Sequence, residues 1–141
     1  MKTLSPEDLQ KYPFVAKARK SQISDSGYNV PTLKWLMEKF YPFFVKKLEE
    51  LGVSVWDEKW DCDDFASFFR SLAQICHRKS KGSAEGIAIG EIYYHQDGDN
   101  AGNHAINVIF LENGPIFFEP QQGLPVKLSA AEMNSIYFFK I

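Results

Sequence analysis

Cysteine is scarce in this chain. The 141 residues contain only Cys62 and Cys76, which excludes the disulfide scaffold of small secreted domains. Both fall on one predicted helix, where the rise per residue separates them by about 21 Å. A disulfide needs Cα atoms within about 7 Å, so the two are free thiols. Long apolar runs are also missing. No stretch approaches the ~20 residues of a membrane-spanning helix, and the start, Met1-Lys2-Thr3-Leu4-Ser5-Pro6-Glu7-Asp8, lacks the apolar segment of a secretory signal. The expectation is a soluble, cytoplasmic domain. Charge of one sign is lacking as well: 16 Lys plus Arg stand against 18 Asp plus Glu, a net of −2. Such a balance recommends neither nucleic acid nor an anionic membrane as partner. Internal repeats, low-complexity tracts, a phosphate-binding glycine loop and zinc-ligand spacing are all absent.

What is present is apolar and aromatic. Hydrophobic residues make up 45% of the chain, and 12 Phe, 6 Tyr and 3 Trp bring the aromatic share to 15%. That surface can offset the entropy of ordering one domain, and the length leaves little for a second. We therefore expect a single domain over 1–141, with a helical front part over 1–55 and a strand-rich back over 56–141. Ser5-Pro6-Glu7-Asp8 reads as a capped helix start that Pro13 closes or bends. Residues 21–30 are polar and read as a loop. Over 32–51 the residues Leu33, Leu36, Met37, Phe40, Phe44, Val45 and Leu48 recur at helical spacing, with a kink expected at Pro42 and Gly52 just past the end. The cluster at Phe40-Tyr41-Pro42-Phe43-Phe44 reads as core.

A third helix begins near Asp61, and its stripe of Cys62, Phe65, Phe69, Leu72 and Cys76 carries both cysteines inward. After a solvated loop over 79–85 the period changes from helical to alternating: strands are expected over 86–95, 104–111, 115–119 and 135–141. Asn113-Gly114 is the favoured two-residue hairpin signal. The pattern is α+β, helices first and an antiparallel sheet after.

Candidate chemistry begins at Trp60-Asp61-Cys62-Asp63-Asp64-Phe65-Ala66. A thiol in the first turn of a helix faces unpaired N–H groups and the positive end of the dipole, both of which favour thiolate. Three flanking acids oppose ionisation, and a start rich in aspartate is also the ordinary way to cap a helix. His104 opens an apolar strand after a Gly- and Asn-rich loop. Glu119 ends an apolar strand, where a carboxylate needs a partner and an imidazole N–H is a suitable one. Cysteine, then histidine, then an orienting acid is the order of a thiol hydrolase. With a strict turn at Asn113-Gly114, Val108 pairs with Glu119, which leaves the acid roughly 13 Å of strand from His104. Gln121 is then the closer neighbour, so either Glu119 or Gln121 orients the ring.

Cys62-Asp63-Asp64-Phe65-Ala66, with Leu72 further along, resembles the nucleophile helix of the transglutaminase-like branch of papain-fold enzymes. His104-Ala105-Ile106-Asn107 and Phe118-Glu119-Pro120 resemble that branch's histidine strand and acid-proline strand. More narrowly, residues 60–123 are similar to the papain-like domain of mushroom agglutinins. The resemblance implies a papain-like or transglutaminase-like core, its nucleophile helix packed on a C-terminal antiparallel sheet. It implies Cys62 as nucleophile, His104 as base and then acid, and Glu119 as the group that fixes the tautomer. The implied function is a cysteine peptidase or amidase that cleaves a peptide or glutamine-type amide through a thioester. Acyl transfer of the transglutaminase type, or an inactive relative that binds a peptide or protein, is the alternative. Trp56 stands where papain-like enzymes carry a glutamine oxyanion donor, and it receives no role. The resemblance also implies calcium, for which Asp97-Gly98-Asp99-Asn100 offers oxygens but lacks the closing Glu of an EF-hand.

Overall fold

The computed structural model describes residues 2–81 and 84–141. After a short strand β1 (Thr3–Leu4), helix α1 (Pro6–Gln10) forms for a local reason. Ser5 Oγ accepts the Asp8 N–H at 3.1 Å while the Asp8 carboxylate accepts the Ser5 N–H at 2.9 Å, a reciprocal cap that satisfies two orphan donors. Pro13 does not close this helix. It opens the next one, α2 (Pro13–Ala16), because a proline in the first turn gives up an N–H that has no helical partner anyway.

Residues 21–30, expected as a loop, instead contribute to strands β2 (Lys20–Gln22) and β3 (Tyr28–Asn29). The helical run over 32–51 divides into α3 (Leu33–Trp35), a π-helical turn over Leu36–Phe40, and α4 (Tyr41–Leu51). The disturbance expected at Pro42 thus lies one turn earlier. Tyr41 N–H bonds to Leu36 C=O, five residues back, so the ladder has already slipped before the proline, which has no N–H to give. Gly52 ends α4 with φ of 72°, a left-handed cap that glycine adopts without strain.

Helix α5 (Cys62–Lys81) begins where the sequence places it. The Asp61 N–H donates to Asp64 Oδ2 at 3.1 Å, and Phe65, Ala66, Phe69, Leu72 and Ala73 form its buried stripe. The two cysteines do not follow that stripe into the core: both are half-buried and free. The expected loop over 79–85 is shortened by the helix, which runs through Lys81, and 82–83 lie outside the described residues.

Beyond it come β4 (Gly86–Ile87), β5 (Ile89–Gln96), β6 (Gly102–Leu111), β7 (Gly114–Glu119), β8 (Leu124–Val126), helix α6 (Ala130–Asn134) and β9 (Phe138–Lys140). The described strands form two sheets, one of six strands in the order β2-β9-β5-β6-β7-β8 and one of three in the order β1-β3-β4. The pairing is not purely antiparallel, because β2 runs parallel to β9 and β3 parallel to β4. The expected papain-like or transglutaminase-like architecture, helices in front and one antiparallel sheet behind, is thereby corrected. Segments from the front of the chain are strands themselves, and they pair with strands far along the sequence.

Alternation along the long strands sends side chains to two cores. Ile106, Val108 and Phe110 join Leu9, Phe14 and Val15 on one face. Ile89, Ile109 and Phe118 join Phe40, Phe44, Phe65 and Phe69 on the other. Among the described residues no helix is long and apolar enough to cross a membrane.

Candidate functional site

The hairpin register decides whether the predicted residues can meet. Val108 faces Phe117 and Asn107 faces Phe118, so one further step brings Glu119 opposite Ile106, next to His104 on the same face. The turn is Glu112-Asn113, with Leu111 facing Gly114. A tight turn centred on Asn113-Gly114 would need both residues at positive φ. No residue other than glycine has a positive φ among those described, and Gly114 takes 121° inside the strand. This shift of two residues removes the separation of roughly 13 Å that the stricter turn implied. His104, third residue of β6, and Glu119, last residue of β7, consequently stand together at one end of the sheet.

His104 Nε2 and Glu119 Oε2 are 2.6 Å apart, with side chains 16% and 9% exposed. Such a distance marks a charge-assisted bond. The other carboxylate oxygen, Oε1, accepts the Gln121 N–H at 3.1 Å, so Gln121 holds the acid through its backbone rather than orienting the ring. Cys62, at the first position of α5, lines the same cleft as the imidazole and bears on its charge. Burial disfavours the charged ring, but the bonds to Cys62 and Glu119 and their charges outweigh it and push His104 up to about 9. The charged form of the ring donates its Nε2–H to Glu119. The arrangement can move a proton between sulfur and nitrogen while the carboxylate keeps the ring in place.

The three side chains border a cleft of about 590 Å³ that Trp56, Gln96, Asn100, Asn103 and Gln122 also line. Trp56 is 53% exposed. Asp61, Asp63 and Asp64 gather beside Cys62, their oxygens within 4.8 Å of one another. A hydrogen bond to Asp63, then burial, then the charges of Asp63 and Asp64 raise Asp61 to about 6. The Asp97–Asn100 loop is engaged elsewhere: Asp97 Oδ2 accepts from Ser129 Oγ at 3.2 Å, and the Asp97 N–H donates to Glu132 at 3.1 Å.

Sequence reasoning missed the polar layer that seats α5. Glu91, only 2% exposed, accepts from Ser67 Oγ at 3.1 Å and pairs with Arg70 Nε at 3.2 Å. Asn107, fully buried, donates to the carbonyls of Ala66 and Gly90 at 2.9 and 3.1 Å. The readable signal was an acid inside an apolar strand together with Ser67 and Arg70 three apart on a helix face. His77, late in α5, is buried and meets Asn29 at 3.1 Å.

No protein-family model and no curated protein matches this chain. Solved structures do. PSL1a in complex with E64 is similar at 24% identity and a TM-score of 0.74, over 99% of this chain and 50% of that one. Polyporus squamosus lectin, bound to the human-type influenza-binding epitope Neu5Acα2-6Galβ1-4GlcNAc, is similar at 26% identity and a TM-score of 0.70, over 94% of this chain and 46% of that one. The chain thus spans about half the length of the structures it matches. The second of them is a lectin, and this overturns the expected membership in the papain-like and transglutaminase-like cysteine protease superfamily. With it falls the expected thiol hydrolase, along with acyl transfer and the inactive papain-fold relative offered as alternatives. The physical reason for the misreading is that a thiol, an imidazole and a carboxylate converge on unrelated folds. Short motifs around three such residues therefore specify a local geometry and not a superfamily.

Proposed function

We propose that this chain is a ligand-binding domain of lectin type and that the cleft at Cys62, His104 and Glu119 is its binding site. The observation that carries the reading is the composition of the cleft. Gln96, Asn100, Asn103, Gln121 and Gln122 line it, and each carboxamide offers both donors and acceptors, as a ring of hydroxyl groups requires. His104 and Glu119 add a fixed donor and acceptor at the floor. Trp56 presents an exposed indole on which the apolar face of a sugar ring can lie. The partner is then a carbohydrate rather than the peptide or protein that the sequence led us to expect. The sialylated trisaccharide bound by Polyporus squamosus lectin is the first ligand to try. Titrating it while following indole fluorescence and the His104 ring signals tests the reading. Saturable shifts, weakened about tenfold or more by Trp56→Ala, support it. Shifts of neither probe with this trisaccharide or across a glycan array overturn it.

A second reading is favoured by the thiol itself. Cys62 beside His104, with Glu119 behind, is the set that activates a sulfur nucleophile, so the same cleft would hold an electrophilic ligand covalently. In this reading Cys62 is the nucleophile, His104 its proton partner and Glu119 the group that orients the ring; no bond cleavage is assigned. Iodoacetamide labelling provides the check, with Cys76 as internal control, since burial raises that thiol against the weaker pull of Lys79. Cys62 should label faster than Cys76 and lose about tenfold or more of its rate in His104→Ala. Equal rates, indifferent to His104, would sink this reading.

A further inference from the structure

The chain reverses directly after Glu119, which the hairpin register has brought to His104. The N–H groups of Gln122 and Gly123 donate to the Glu119 carbonyl at 3.2 and 2.8 Å, and the Gln121 N–H holds the carboxylate itself. Gly123 sits at φ of 70°, and a Cβ there would run into the ring of Tyr41. The Tyr41 hydroxyl donates to the Pro120 carbonyl at 3.1 Å, and its ring meets Phe118 edge-on at 5.7 Å. Tyr41 is the first residue of α4, directly after the π-helical turn. A one-residue slip in the ladder rotates everything that follows by roughly 100° relative to an uninterrupted helix. The turn after Glu119 is thus gripped from outside by one side chain on a separate helix.

Resting on the site proposed above, we infer that Tyr41 is a positioning residue: by holding the Pro120 carbonyl and closing over Gly123, it keeps the Glu119 carboxylate on the His104 ring. Tyr41 remains a donor across the neutral range, because burial and then the charge of Glu119 raise its hydroxyl. Four elements bear on the imidazole: α5 through Cys62, β7 through Glu119, β5 through Tyr94, whose ring lies 5.8 Å from it, and α6 through Glu132. Asp61 borders the same cleft. Glu119 sits on the segment that Tyr41 holds directly, so a change at the Tyr41 hydroxyl reaches the ring through that acid.

The test is an NMR titration of the His104 ring, with Cys62 labelling by iodoacetamide, in the full chain and in Tyr41→Phe, which keeps the ring packing and removes only the hydroxyl. Gly123→Ala disturbs the same contact from the other side. Both variants should lower the His104 titration by about one pH unit, part of the way back to the ordinary histidine value, and slow Cys62 labelling several-fold, on the order of ten. Far-UV circular dichroism of Tyr41→Phe should stay unchanged. If the wild-type ring titrates near 9 and neither variant moves it, Tyr41 has no positioning role and the proposed site stands. If the wild-type ring itself titrates at the ordinary value, the Glu119 carboxylate is not held on it and the role of Tyr41 falls, whereas the glycan titration alone decides the site.

Discussion

On one face of the six-stranded sheet, Leu9, Phe14 and Val15 of the first two helices pack on Ile106, Val108, Phe110 and Phe139. On the other, α5 meets β5 and β6 through Phe65 and Phe69, but also through Glu91, Arg70, Ser67 and Asn107. Apolar contact is tolerant of small slides, because its strength follows area rather than direction. Hydrogen bonds and a buried ion pair accept few geometries and penalise the rest. The face that seats α5 adds directional contacts to its apolar ones, and α5 carries Cys62. The difference teaches that both faces carry a packed apolar core, while the second adds the directional contacts that fix the helix of Cys62.

The sharpest way to break this comparison is to damage each face and read both stability and the site. Phe110→Ala, on the apolar face, should cost about 3–5 kcal/mol, seen as a lower urea midpoint. In the folded protein the His104 titration should be unmoved. Glu91→Ala strips the acid from an Arg70 side chain that is 22% exposed, and should cost about 2–4 kcal/mol. Unlike the first variant, it should slow Cys62 labelling, because α5 loses its seat. Should labelling be spared, the division of labour between the faces is wrong. Asn107→Ala removes the amide that donates to Ala66 and Gly90, at a cost of about 1–2 kcal/mol in the same urea measurement.

A further effect concerns pH. The folded state holds the His104 proton up to about 9 against 6.5 for the free side chain, so folding favours the protonated ring. That contribution is complete below about 6.5 and disappears as pH rises through about 9. Melting temperature should therefore fall across that window, and Glu119→Gln should flatten the fall.

Much of this arrangement could be read from residue order, and the unread parts have identifiable causes. The cap at Ser5, the start of α5 at Cys62 and the change from helical to alternating period all rest on contacts within a few residues, where propensity and spacing speak directly. Strands β1 and β3, of two residues each, and β2, of three, are too short for alternation to show. They exist because partners distant in the chain supply their hydrogen bonds. The hairpin register failed on one φ angle: Asn113 does not enter the left-handed region, the turn moves back by a residue, and Glu119 comes into range of His104. Cys62, His104 and Glu119 could be singled out by type and order, whereas the cleft walls at Gln96, Asn100 and Asn103 come from the segment around one 3-10 turn with no periodic signature. The family assignment went astray because it leaned on those three residues rather than on the strand order, which no short motif encodes.

Strand β9 lies inside the six-stranded sheet, between β5 and β2, although it is made from residues 138–140. Until it docks, β2 has no neighbour and β5 presents a bare hydrogen-bonding edge to any other extended chain. Closure thus waits on a contact of long sequence separation, the kind that slows folding. A half-assembled copy would leave the slot of β9 open to the same strand of a second copy, the route by which strands are exchanged between molecules.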